Sequence, residues 1–283
     1  MYTTLAQVRT ELSAQSTVDD NELYAKIRAI SRRVDRLFQS NRAVFAPVTE
    51  TRPIPLMNEN IRRGWRIYTL PGGIKNHLLS LTSVSINGTS VSGASLHHDT
   101  PNSPAAAIQL PQGTSWQNYC NAASTPPYIT ITGVWGWHPD YASAWEDEDA
   151  LQADINSSVT SLTVGNVDGA DTWGETPRIS AGNLLKINDE IMLVTATDTA
   201  TNVVTVRRAM NGTTATAHTS GDSVAVWQPD PPLKLYVARQ VGAQYAKQGG
   251  YNDMEISGGA TRRGNPTWLP ELLTYLNGFN YEH

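Results

Sequence analysis

Cysteine is nearly absent: Cys120 stands alone among 283 residues, which excludes an internal disulfide and any cysteine-based metal cluster. Long hydrophobic runs are missing as well. No uninterrupted apolar stretch exceeds four residues, too short for a membrane-spanning helix or a signal-peptide core. The expectation is a soluble protein made in the cytoplasm, with no membrane contact. Charged residues make up 17%, against about 25% in an ordinary globular chain. Gly and Pro, 21 and 16 residues, are too few for a fibrous or disordered chain. A chain of this length buries a core large enough to fold without disulfides or metals, as one large domain or two smaller ones.

The signatures of catalysis are also missing. There is no Gly-x-Ser-x-Gly elbow, no Gly-x4-Gly-Lys-Ser/Thr loop, no His-Glu-x-x-His helix and no Cys pair. His97-His98-Asp99 is the densest cluster of acid–base or ligating groups, but adjacent side chains point apart on a strand or helix, and the three read as exposed loop residues. Asp147, Asp149 and Asp154 lack the Gly and closing Glu of a calcium loop, and read as a solvated acidic linker. The functional alternative is an acidic lining along which a polyanion slides without sticking. Gly258-Gly259-Ala260-Thr261-Arg262-Arg263-Gly264 is no phosphate cradle, because no strand leads into it and no helix opens at it. It reads as a flexible linker or as a segment that orders on a partner. No catalytic residue, cofactor or metal ligand is expected, and the chain reads as a non-enzyme.

Net charge is −5 but unevenly spread. Residues 1–66 carry 11 Lys/Arg and 7 Asp/Glu, residues 67–230 carry 5 and 15, and residues 231–283 carry 5 and 4. The acidic middle argues against a protein that grips nucleic acid tightly.

Two helices are predicted at the start, over residues 3–15 with Thr3 or Thr4 as cap, and from residues 17–20 to about residue 39. In the second, Leu23, Ile27, Ile30, Val34 and Leu37 fall on one face, with Arg28, Arg32 and Arg36 opposite. That basic ridge reads as a solvated face or a subunit or partner contact. From residue 46 the pattern turns to strands, with long loops expected over residues 92–127. Residues 155–228 hold five strand candidates separated by turn signals, which suggests a small sandwich or barrel. Residues 146–149 and 229–232 flank it as expected hinges. A helix over residues 233–248 and a short one over residues 268–276 follow. The last 16 residues hold Trp268, Leu269, Leu272, Leu273, Tyr275, Leu276, Phe279 and Tyr281. So much apolar surface either folds back on the chain's own core or docks on a partner.

With these elements in place, a resemblance emerges. Asp20-Asn21-Glu22-Leu23 and Ile27-Arg28-Ala29-Ile30-Ser31-Arg32-Arg33-Val34-Asp35 resemble the second helix of tailed-phage head–tail connector (adaptor, neck) proteins. Ile129-Thr130-Ile131-Thr132-Gly133-Val134-Trp135-Gly136-Trp137 is similar to the strand that precedes their third helix, whose start resembles Pro231-Pro232-Leu233. Leu269-Pro270-Glu271-Leu272-Leu273, with Leu276, is similar to their C-terminal helix. Between strand and helix lies an insertion that resembles a small β-module of phage structural proteins. It reads Gly182-Asn183-Leu184-Leu185-Lys186-Ile187-Asn188-Asp189-Glu190-Ile191-Met192-Leu193-Val194, then Val204-Thr205-Val206-Arg207-Arg208, Asn211-Gly212-Thr213, Ala217-His218 and Gly221. A Gly follows the Arg in that pattern, where Ala209 stands here.

The resemblance implies an α+β fold: a helical connector core with a small β-sheet, formed by residues 1–150 and 229–283. This core carries an inserted all-β, sandwich- or barrel-like domain at residues 155–228. It implies a structural virion protein made in the host cytoplasm: a head–tail adaptor forming a homo-oligomeric ring below the portal. Its partners would be other copies of itself, the portal protein and a tail or stopper (head-closure) protein. Double-stranded DNA would pass through a central channel without sequence reading. The partner-interface candidates are Trp268, Leu269, Leu272, Leu273, Tyr275, Phe279, Tyr281, Arg28, Arg32 and Arg36. Other readings stay open: a tail-tip or fibre-type receptor-binding protein, a head-closure or tail-completion protein, or a hydrolase around His97, His98 and Asp99.

Overall fold

The computed structural model describes residues 1–12, 19–55, 61–62, 66–68, 77–98, 104–105, 107–113, 128–249, 255–256, 260–261 and 268–279. Four α-helices are present among them: α1 (Leu5–Glu11), α2 (Asp20–Leu37), α3 (Pro231–Gly249) and α4 (Pro270–Gly278). The helix ends follow from local chemistry. Thr4 accepts a hydrogen bond from the Gln7 amide at the start of α1, and Asp19 accepts one from Asn21 at the start of α2. Asp20 and Glu22 fill the first turn of α2 and Arg36 its last, the arrangement that the helix dipole favours.

Strands dominate the rest. In chain order they are β1 (Val48–Pro55), β2 (Ile61–Arg62), β3 (Arg66–Tyr68), β4 (Leu78–Ile86), β5 (Thr89–Ser90), β6 (Ser95–His97), β7 (Ala107–Gln109) and β8 (Tyr128–Trp135). Then come β9 (Trp145–Ala150), β10 (Ser161–Thr163), β11 (Leu184–Ile187), β12 (Glu190–Asp198), β13 (Val203–Arg207), β14 (Ser223–Trp227), β15 (Glu255–Ile256) and β16 (Ala260–Thr261). They form sheets ordered β1-β8-β4-β5, β2-β3-β7-β6, β10-β13-β12-β11-β14-β9 and β15-β16. The protein is therefore mostly β, which overturns the expected helical core with a small sheet. The excess strands lie partly at residues 48–109, where β2, β3, β5, β6 and β7 span two or three residues each. Elements that short carry no readable periodicity.

The first two sheets share a core of Leu78, Val84, Ile86, Ile108, Ile129, Ile131 and Trp135, and a bridge between Leu78 and Ala105 ties them together. The six-stranded sheet curls around Leu151, Leu162, Leu185, Ile187, Met192, Val194, Val204, Val206, Val224 and Val226. A bridge from Leu151 to Val164 joins its two edge regions at one corner, so it forms a nearly closed small barrel.

The barrel starts earlier than residue 155. Residues 146–149, expected as a hinge, lie in β9, paired with β14 from Trp145↔Trp227 to Ala150↔Ser223. Such an acidic stretch has little strand propensity, but Asp147, Glu148 and Asp149 each find donors in place. Asp149 accepts from the Gly165 and Asn166 amides, Glu148 from Thr172, and Asp147 from the Ser223 hydroxyl. Tertiary context wins over propensity here.

The barrel wall is buried on both sides. Leu184, Ile191, Leu193 and Trp227 point outward and join Leu23, Ile27, Ile30, Val34, Leu233, Val237, Val241, Leu272 and Leu276 in a third core. The unbroken apolar run Ile191-Met192-Leu193-Val194 follows from this, since alternate residues serve different cores. The barrel is thus one wall of the helical layer.

Candidate functional site

The C-terminal candidates fold back on their own chain. Leu272 and Leu276 are buried under α3. Phe279 meets Trp137, Tyr275 and Phe45 edge-on, at ring separations of 4.6, 5.1 and 5.2 Å, geometry that adds to area burial. The Leu269 amide donates to Gln240 Oε1 at 2.7 Å, and the Arg33 guanidinium sits 4.6 Å over the Trp268 ring. The Tyr275 hydroxyl donates to Asp230. Burial and that carboxylate push the phenol far above its usual range, so it stays a donor. Trp268, Leu269, Leu273, Tyr275 and Phe279 are half-buried; of the two expected readings, folding back describes this segment. Tyr281 lies outside the described residues. The Gly-rich stretch before α4 contributes the hairpin β15-β16, pairing Ile256 with Ala260.

The basic ridge is where the sequence put it. Arg28, Arg32 and Arg36 are exposed on α2. Arg32 donates to the Asn41 carbonyl at 3.2 Å and stands 4.0 Å from Asp35. Arg207, on β13, extends the ridge onto the barrel: it and Arg28 both act on the Tyr24 phenol, whose pKa burial raises and these two charges lower. Arg207 was not singled out from the sequence. Its outward position follows from the alternation Val204-in, Thr205-out, Val206-in, Arg207-out.

Two buried polar knots hold the body together. In the first, the Tyr2 hydroxyl donates to Asp35 and accepts from the Val44 and Phe45 amides at 3.0 and 3.1 Å. Burial lifts Asp35 to about 6, against the lowering effects of Tyr2 and the Val44 amide. In the second, Arg208 grips Glu190 with two bonds of 2.7 Å. The amides of Ala209 and Thr216 donate to the same carboxylate at 3.1 and 3.0 Å, and His218 Nε2 lies 3.0 Å away. Burial pushes Glu190 up, but Arg208 and these donors outweigh it and hold the carboxyl at about 2. Ala209 sits at φ 53°, a left-handed conformation that glycine adopts without strain and alanine does not.

The loop after Ala209 joins the barrel to the start of β1 in the first sheet. Asn211 Nδ2 donates to the Pro47 carbonyl at 2.8 Å, and the Thr49 amide donates to the Asn211 carbonyl at 2.8 Å. Gly212 has φ +82°, and a Cβ there would lie 2.0 Å from the Thr49 carbonyl oxygen, so only glycine fits. At the other end of the junction, the chain leaves β8 at Trp135, in the core of the first two sheets, and reaches the helical core at Trp137.

The remaining candidates are not brought together. His97 ends β6, half-buried, His98 is exposed, and Asp99 lies outside the described residues. Asp147 and Asp149 are built into β9, while Asp154 accepts from the Ser220 amide beyond it. Among the described residues, no group of three His, Cys, Asp or Glu side chains is placed to hold a metal ion. A cleft of about 260 Å³ lies between α1, the start of α3 and the 171–178 loop. Its charges pair across it, Lys234 with Glu175 at 2.6 Å. No model of a known protein family matches the chain, and no curated protein is similar to it.

Proposed function

We propose that this chain is a structural joining protein of a tailed-phage virion: a head–tail adaptor that forms a ring below the portal, between the DNA-filled head and the tail. The observation that carries the reading is the convergence of dispersed motif segments. Leu23, Trp137, Leu233 and Leu272 come from four separated stretches and share one core. Load applied before residue 46 or after residue 227 is then borne by the same packed body, as a joint requires. A net charge of −5 suits a passage that lets a DNA polyanion through without gripping it. Portal and tail or stopper proteins are the proposed partners.

The test is negative-stain imaging of the purified chain, alone and with its cognate portal. The expected result is ring-shaped particles that cap the portal; a monomer that ignores the portal overturns the reading. Trp173, 77% exposed, favours a second reading, receptor binding at a tail tip. Glycan-array binding by the intact chain, lost in Trp173→Ala, would support that reading instead.

A further inference from the structure

The ridge on α2 and the acidic part of the barrel carry opposite charge, and neither neutralises the other within one chain. Residues 24–42 hold six Lys/Arg and one carboxylate, Asp35, which is buried. Residues 140–178 hold nine carboxylates and one cation, Arg178. Arg178 turns inward on its own segment, 3.9 Å from Glu148 and 3.7 Å from Asp149. The ion pairs of residues 24–42 are equally local, Lys26 with Glu22, Arg32 with Asp35 and Arg42 with Glu50. Among the described residues, no ion pair links the two segments, and Arg28 and Arg36 have no carboxylate partner.

The acidic surface also carries a pre-set aromatic. Trp173 is the most exposed large apolar side chain among the described residues, yet it is held in place. Its indole N–H donates to Glu146 Oε1 at 2.5 Å and its amide to Asp171 Oδ1 at 3.0 Å. The Glu175 amide closes the loop on the same oxygen at 2.7 Å. A ring already held in one position loses little freedom on docking. An indole face beside carboxylates attracts a guanidinium through both its quadrupole and their charge, and Trp and Arg are the residues most concentrated at interface hot spots.

We propose that these surfaces pair between copies: the Arg28, Arg32 and Arg36 face of one subunit docks on the Trp173 loop and the outer side of β9 of the next. This rests on the joining role above and names a second copy of this chain as the partner of the ridge. Because the two surfaces differ, the contact is head-to-tail and repeats from copy to copy, closing into a ring when the rotation per step divides the circle.

The test uses the full chain in light scattering and sedimentation, with two charge-reversed forms, Arg28→Glu/Arg36→Glu and Asp147→Lys/Asp168→Lys; Asp168 lies in the stretch that leads into the Trp173 loop. All four positions are exposed, and unchanged melting curves verify folding. Each form is expected to self-associate about tenfold or more weakly than the wild type. An equimolar mixture should recover association, because every copy then meets opposite charge on its neighbour. Trp173→Ala is expected to weaken association comparably. Reversed forms or a Trp173→Ala form that associate like the wild type, a mixture that stays apart, or a monomeric wild type each overturn the pairing. Portal capture by a chain that fails these tests leaves the joining role standing; loss of capture as well overturns both.

Discussion

Asp35 and Glu190 are both buried carboxylates, yet one is pushed up to about 6 and the other held at about 2. The difference lies in what each region brings to its carboxyl. The barrel supplies a full cation from nearby chain, Arg208, together with two amides and His218. The helical side supplies mainly neutral donors, Tyr2 and the Val44 amide, with the Met1 ammonium and the Arg32 guanidinium, the latter at 4.0 Å, acting only through space. Burial without a contacting cation favours the neutral acid; burial with one favours the charge. The barrel's knot is also local in sequence, whereas the helical one ties residue 2 to residues 35, 44 and 45.

The largest effect should come from breaking the charged knot. Glu190→Ala leaves Arg208 buried without its partner and is expected to cost about 3–5 kcal/mol, read by chemical denaturation at pH 7. Next is the packing that closes the helical core. Leu272→Ala should cost about 3 kcal/mol, with loss of near-UV signal from the Trp137–Phe279 cluster in any partly unfolded state.

The pH profile sharpens the contrast. Asp35 has a folded pKa above its ordinary 3.8, so its contribution favours folding below about pH 4 and is lost as pH rises through 6, a change of up to about 3 kcal/mol. Glu190 has a folded pKa below its ordinary 4.5, so its contribution is present above pH 4.5 and lost toward pH 2. Burial holds His77 at about 4, below its ordinary 6.5, so it raises the stability of both forms as pH climbs from 4 to 6.5. Over pH 4 to 7, Asp35→Asn should therefore gain stability relative to the wild type by up to about 3 kcal/mol; a constant difference between the two would refute the assignment. The smallest effect is Ala209→Gly, which relieves a left-handed non-glycine residue and is expected to stabilise the barrel by up to about 1 kcal/mol, seen as a small rise in Tm.

Legibility in the sequence tracked length and regularity. The α2 face was readable because Leu23, Ile27, Ile30 and Val34 repeat at helical spacing behind an Asp19–Glu22 start; Leu37, expected on the same face, is exposed at the last turn. The β11–β12 hairpin was readable because Asn188-Asp189 breaks two apolar runs, and Asn188 does take φ 52°. By contrast, β9 was hidden by Glu146-Asp147-Glu148-Asp149, whose hydrogen bonds come from residues 165–223, far along the chain. Asp35 looked like one more polar residue among arginines; only its place beside Val34, on the inward side of α2, hinted at burial. For the C-terminal residues, the apolar content was plain, but whether it served this chain or another depended on the Phe45 and Trp137 surface that receives Phe279.

The strands by which the chain runs into and out of the barrel lie side by side, with Trp145 opposite Trp227 and the Gln228 amide bonded to the Ala144 carbonyl. Loops at the far side of the barrel can accordingly lengthen or shorten with no change in the distance the remaining chain must span. That tolerance stops at one wall: Leu184, Ile191, Leu193 and Trp227 belong to the neighbouring core. A foreign barrel spliced between residues 144 and 228 would have to reproduce those four outward side chains to be accepted.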